Sequence, residues 1–364
     1  MNQITTLYRK NYYRIHFSVP VMCISAILLV VNMMIGQGIL IAFAITMCVN
    51  IYPFIDVATF EQKHFYRLVF GVLMTLFASI SILMGSVSAH YGVGWVLIGY
   101  LFPVLFWLFF YTMTGNIQMI GIIFPLAYTM GISSPGTFQK MLGVVSFVGV
   151  LGIIMVGIYF FYYLLMIKIG RKKGHFHLKP SEVVHHAKTT NPRVYRFAVN
   201  LYIVIILAYL SSLLLGYLFP QFVNSGKSYW AGFFVFVMLQ FNNNLEKTLV
   251  RVWFRVSGTI VGVFISWVLL NIFHQKSLRL ILFLGAIFCF LQVIYHFEHY
   301  FYFAVSVSVY VMFTYVILLG ADTTIYDYRI SETFIAACWV VFSIYIFWPM
   351  FRKIIPMGKW ELKE

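Results

Sequence analysis

The residues able to bind or move a charged solute fall in three short groups. The first is Glu246, Lys247, Arg251 and Arg255, whose spacing lets them share one helical face. Arg251 and Arg255 so placed attract an anion, and Glu246 can hold one of them or exchange protons. The second is Arg329, Glu332 and Thr333, in which Arg329 and Glu332 stand three apart and can pair as a gate. The third is His296, Glu298 and His299, where imidazoles that titrate near neutral pH could relay protons. Each group also has a plainer reading. The first can be basic anchoring, the second a structural ion pair, the third ordinary interfacial placement.

The stretch 229–262 is the richest in such residues. Tyr229 and Trp230 open it, Asn242 follows an apolar run short for a full span, and Gly258 and Gly262 form a GxxxG that lets two helices approach closely. Arg251, Arg255, Lys247, Asn242, Tyr229, Trp230 and, from the first half, Arg67 are the expected substrate contacts. Glu246, Arg329, Glu332, His296 and Glu298 are the expected coupling or gating residues.

The elements that must position these residues are membrane helices. Hydrophobic residues make up 62% of the 364 and charged residues only 10%, where a soluble domain carries about 25% charged. That excludes an ordinary soluble enzyme, a disordered chain and a disulfide scaffold. Cys23, Cys48, Cys289 and Cys338 all lie in apolar runs without a CxxC pair, so neither a disulfide nor a zinc site is expected. Walker A, GxSxG and HExxH sequences are absent, and neither an enzyme activity nor a cofactor is expected.

Apolar runs long enough to span occur near 15–35, 38–55, 68–88, 93–112, 115–131 and 141–167, and again near 197–219, 229–243, 254–272, 278–295, 300–320 and 331–350. A helix needs about 20 residues to cross the hydrocarbon. The expected fold is therefore an all-α polytopic membrane protein of about twelve transmembrane helices. Drawn this way, no Asp, Glu, Lys or Arg lies deep in any span. Placing the N-terminus inside puts 20 of the 25 Lys and Arg on the inner side, all but Lys140, Lys227, Lys276, Arg279 and Arg329. Both termini are then cytoplasmic. This accounts for the net charge of +15 without nucleic acid.

Residues 168–196, basic and containing Pro180 and Pro192, separate six runs from six. An offset of about 187–190 residues superposes landmarks of the two halves, among them Arg67 before Gly71 and Arg255 before Gly258. Six is even, so the halves run parallel, as two six-helix repeats about an axis along the membrane normal. The expected organisation is a first repeat at 1–167, a basic cytoplasmic linker at 168–196, a second repeat at 197–350 and a cytoplasmic tail at 351–364. Short or Pro-interrupted segments at matching positions of two repeats point to a binding region. Here those segments are 229–243 and the run ending at Asn50 to Asp56 with Pro53.

Tyr229-Trp230-Ala231, the later Arg251 and Arg255, and Gly258-Thr259 with Gly262 resemble the fusaric acid resistance-like family of aromatic acid exporters. Arg329-Ile-Ser-Glu332-Thr333 looks like that family's closing Arg-x-x-Asp-Thr, with Glu for Asp and with Ala336 where Gly is usual. The likeness is best in the second half, and the short linker resembles membrane-only members. It implies an inner-membrane efflux transporter of small organic anions, aromatic carboxylates foremost, in a bacterial plasma membrane. Such members often work beside a periplasmic adaptor of the membrane-fusion type. Plant malate-permeable anion channels look distantly similar, so a passive anion channel is an alternative. A scaffold that docks an adaptor through the linker is another. A complete pathway per chain and a homo-oligomer both fit a parallel repeat.

Overall fold

The structure is a computed structural model, and it describes residues 64–114, 123–172, 192–223, 225–239, 245–273, 287, 300–319 and 324–350. Among them it is helical, with no strand. In chain order the helices are α1 (His64–Tyr91), α2 (Val93–Gly99), α3 (Leu101–Thr114), α4 (Ile123–Ile132), α5 (Phe138–Lys172) and α6 (Pro192–Leu218). There follow a 3-10 turn (Ser225–Lys227), α7 (Tyr229–Met238), α8 (Leu245–Phe273), α9 (Tyr300–Leu319) and α10 (Thr324–Phe342), which continues into a π-helix (Ser343–Phe347).

Apolar side chains and the need to pair every backbone polar group within the segment both favour helix in lipid. Six stretches among the described residues are long and apolar enough to cross a membrane: Leu68–Tyr91, Val93–Phe110, Phe138–Ile158, Val194–Leu218, Thr248–Ile272 and Tyr326–Met350. Three apolar helices are shorter, Ile123–Ile132, Tyr229–Met238 and Tyr300–Phe313. The chain is thus a multi-pass helical membrane protein. The parts of the expected runs that fall on described residues are helical; the runs at 15–35 and 38–55, the run at 278–295 but for one residue, the start of the run at 115–131, residues 173–191 of the linker and 351–364 lie outside them.

Local breaks have local causes. Gly92 sits at φ 109, a backbone that L side chains rarely adopt, and turns α1 into α2. Pro103 lacks the N–H that would reach back to Gly99, and the chain turns at Tyr100 between α2 and α3. Pro192 opens α6, where a missing N–H costs nothing.

Two helix pairs are sealed by small residues. On α1 and α4, a Cβ at Gly85 would lie 3.1 Å from the backbone nitrogen of Ile132, and one at Gly131 would lie 2.9 Å from that of Ser86. On α8 and α9, a Cβ at Gly258 would lie 2.7 Å from the Ala304 Cβ, and one at Gly262 would lie 2.8 Å from the Val305 carbonyl oxygen. The GxxxG is therefore a helix-packing seam, as its spacing implies. Elsewhere α1 packs on α5, α3 on α6, and α10 on both α6 and α8.

Tyrosines join the segments before and after the linker. Tyr100 donates to the Tyr229 carbonyl at 2.9 Å, and Tyr202 of α6 donates to the Leu97 carbonyl at 3.0 Å. At the far end of α10, Ser343 donates to the Asn200 side-chain oxygen at 3.0 Å, where the π-helix begins.

Gly262→Val should lower the melting temperature in a detergent thermal-shift assay by several degrees, because backbone blocks the new side chain. Gly157→Ala, where nothing lies within 4 Å of an added Cβ, should leave it unchanged or slightly higher.

Candidate functional site

The site is built around α7, a ten-residue helix in which every residue is buried. Its sequence, Tyr-Trp-Ala-Gly-Phe-Phe-Val-Phe-Val-Met, is apolar all round, as a helix enclosed by others must be. It contacts α4, α6, α8 and α10. Gly232 lets Tyr100 approach: an added Cβ would lie 2.8 Å from the phenol oxygen.

The first turn of a helix has N–H groups without intrahelical acceptors and a positive dipole end. Ser228 gives α7 no side-chain cap. Glu332 of α10 supplies one. Its Oε2 accepts from the Ala231 N–H at 2.8 Å, while Oε1 accepts from the Ser212 hydroxyl of α6. Glu332 is fully buried. One carboxylate thereby ties three helices together.

Two arginines converge on one ring of α7. The Arg329 guanidinium carbon lies 4.5 Å from the Phe234 centroid and 4.7 Å from the Trp230 ring. The Arg255 guanidinium carbon, from α8, lies 5.3 Å from the same Phe234 centroid. Both arginines are 1% exposed. Arg255 Nε and Nη2 have no hydrogen-bond partner. Arg251, four residues earlier, is only partly buried and sits 4.5 Å over the Tyr300 ring of α9. Among the described residues the buried charged side chains are Arg196, Arg255, Arg329 and Glu332, three cations to one carboxylate. A site of this kind, donor-rich and walled by aromatic rings, suits an organic anion.

The expected site residues are thus partly gathered. Arg255, Arg329, Glu332 and Trp230 come together round α7, and the Tyr229 ring lies 6.2 Å from that of Trp230 while its carbonyl is held by Tyr100. The sequence reading put Arg251 and Arg255 at an inner vestibule and Arg329 with Glu332 at an outer gate; the structure instead brings Arg255 and Arg329 to one ring. It also corrects the placement of charges at span ends. Helix α8 starts at Leu245 and α10 at Thr324, well before the expected runs at 254 and 331, so Arg255, Arg329 and Glu332 are buried within candidate spans. Hydropathy falls at charged residues, but the helix continues because neighbours cover them. Glu246 is exposed on the first turn of α8, nine residues from buried Arg255 and so on the opposite face. It does not share a face with Arg255 as expected. The side chains of Lys247 and Arg67, and Asn242, His296 and Glu298 altogether, lie outside the described residues.

Sequence reasoning missed Phe234, one phenylalanine among 38, and Ser212. The available signal for Ser212 was a Ser211-Ser212 pair inside an otherwise apolar run.

Ser212→Ala removes one donor to a buried carboxylate and should cost about 1.5–3 kcal/mol, read as a lower melting temperature. In Glu332→Gln the same Ser212 change should cost less, because the charge it serves is gone; the double-mutant cycle measures that coupling.

No curated protein and no solved structure matches the chain. One family model does, described as fusaric acid resistance protein-like, over residues 203–343. That stretch runs from within α6 to the start of the π-helix and holds Ser212, all of α7, Arg255, Arg329 and Glu332. The match supports the resemblance carried by the motifs at 229–262 and 329–333 and points to membrane transport: over its second half the chain is similar to the fusaric acid resistance protein-like family.

Proposed function

We propose that this protein is a bacterial inner-membrane efflux transporter of small organic anions, aromatic carboxylates foremost. The observation that carries the reading is the convergence of Arg255 and Arg329 on Phe234 inside candidate membrane spans. Guanidinium binds a carboxylate through paired N–H groups, and the rings of Trp230 and Phe234 offer flat apolar surface for an aromatic body. An anion drawn from the basic cytoplasmic side passes Arg251, reaches the ring-walled pair, and leaves beyond Arg329.

The carrier reading is favoured over a passive channel by Glu332. A passive channel needs no titratable group along its path, whereas Glu332 is buried on α10, one turn after Arg329. It is the group through which proton exchange would couple to anion movement. The twelve-span arrangement as two parallel repeats is part of the same proposal. Its support is that α1 with α4 and α8 with α9, the third and fifth runs of each half, form the same kind of small-residue seam. The third and sixth runs also meet in both halves, α1 with α5 and α8 with α10. Cytoplasmic termini, a periplasmic membrane-fusion adaptor and a homo-oligomer belong to the proposal too, on the charge distribution and the family likeness.

The test is flux of labelled benzoate into proteoliposomes of the full chain, with and without a pH gradient. Arg255→Gln should lower flux about ten- to a hundredfold with no fall in melting temperature, and Arg255→Lys should restore little of it. Wild-type flux no greater than that of empty liposomes, or unchanged flux in Arg255→Gln, would overturn the reading. Accumulation against the benzoate gradient, lost in Glu332→Gln, establishes coupling; purely downhill flux returns the protein to the channel class.

A further inference from the structure

Hydroxyls in the helices of this protein are, as a rule, satisfied by their own backbone. Thr75, Ser266, Ser308 and Thr333 each donate to the carbonyl four residues earlier, at 2.7 to 2.9 Å. This is the ordinary arrangement for Ser and Thr in a membrane helix. Besides Thr129 of α4, which stands alone on its helix among the described residues, Thr248 and Thr259 of α8 depart from it. Both α8 threonines are buried, at 0% and 1% exposure, and neither hydroxyl has a hydrogen-bond partner among the described residues. The large majority of buried side-chain polar atoms are paired.

Their positions are not independent of the site. Thr248, Arg255 and Thr259 stand seven and four residues apart, so at 100° per residue they share one face of α8. Arg255 lies between them with Nε and Nη2 also without partners. Side chains on a helix lean toward its N-terminus, which carries the guanidinium toward the level of Thr248 and leaves Thr259 beside the Arg255 backbone. The unsatisfied groups cover about 16 Å along the helix, roughly half of the hydrocarbon thickness. The series stops at Ser266, seven residues beyond Thr259 on the same face, whose hydroxyl is bonded to the Gly262 carbonyl.

We propose that Thr248, Arg255 and Thr259 form one oxyanion track along the buried face of α8, in which the two hydroxyls donate to the head group of the passing anion before and after Arg255 holds it. The hydroxyls replace, step by step, the water that a carboxylate loses on leaving solution. They set specificity for a hydrogen-bond-accepting oxyanion, which Arg255 alone would bind mainly by charge. This rests on the anion-transport reading above and adds two contact residues to its site.

Thr→Val keeps the shape and removes the hydroxyl. In proteoliposomes of the full chain, with labelled benzoate below saturation, Thr248→Val and Thr259→Val should each lower flux about tenfold. Thr259→Ser should keep most of it. The melting temperature of each Val variant should equal or exceed that of the wild type, because an unpaired buried hydroxyl is removed. Val variants that carry benzoate at the wild-type rate, while Arg255→Gln does not, would overturn the track and leave the transport reading standing. A fall in melting temperature that accompanies the loss of flux would also overturn it, by showing a structural hydroxyl. Absence of benzoate flux in the wild type would remove both.

Discussion

A helix of ten residues covers about 15 Å, half of what a bilayer requires, so both ends of α7 must be satisfied inside the protein. At its start this is done by a carboxylate from another helix. Glu332 reaches the Ala231 N–H and the Ser212 hydroxyl together, and thereby fixes α6, α7 and α10 relative to one another. The placement of Trp230 and Phe234 follows from that anchor, and the placement of Arg329 follows because it lies one turn before Glu332 on the same helix. The clustering of these side chains is in this sense a by-product of capping a short buried helix.

Magnitudes separate the two arginines. Insertion of an arginine at the centre of a membrane helix costs about 3 kcal/mol on the most lenient scale. Stacking on a ring returns about 2 kcal/mol or more when dry. Arg329 lies under 5 Å from two rings and one turn from Glu332, so much of its cost is offset locally. Among the described residues Arg255 has a more distant ring at 5.3 Å, the Tyr300 side chain beside it and two nitrogens without acceptors. Its cost is the larger residue of the account, and an anionic ligand is what would offset it.

Much of this was legible in the sequence. The runs of apolar residues mark the helices, because in lipid no other element serves. Gly258 and Gly262 announced their seam by spacing alone. The family likeness lay in the same motifs that the structure gathers round α7. What could not be read was depth. Hydropathy treats Arg255, Arg329 and Glu332 as the edges of spans, whereas packing from α7 and neighbouring helices buries them inside. Phe234 carried no signal in a chain so rich in aromatics, since its importance comes from being shared by two cations that sequence places 74 residues apart. Thr248 and Thr259 looked like any helical threonines, since nothing in the sequence marks a hydroxyl that is buried without a partner among the described residues.

The two tyrosine bonds across the chain also limit how such a protein can move. Tyr100 reaches forward to the Tyr229 carbonyl and Tyr202 reaches back to the Leu97 carbonyl, so the segments on either side of the linker are bolted reciprocally. The two bolts lie close together on the first side, at 97 and 100, and join two different helices on the second, at 202 on α6 and 229 on α7. They mark a fulcrum. A rearrangement that exposed α7 first to one side and then to the other can rock about that line with both bolts intact, whereas drawing the segments apart there would strand two buried carbonyls.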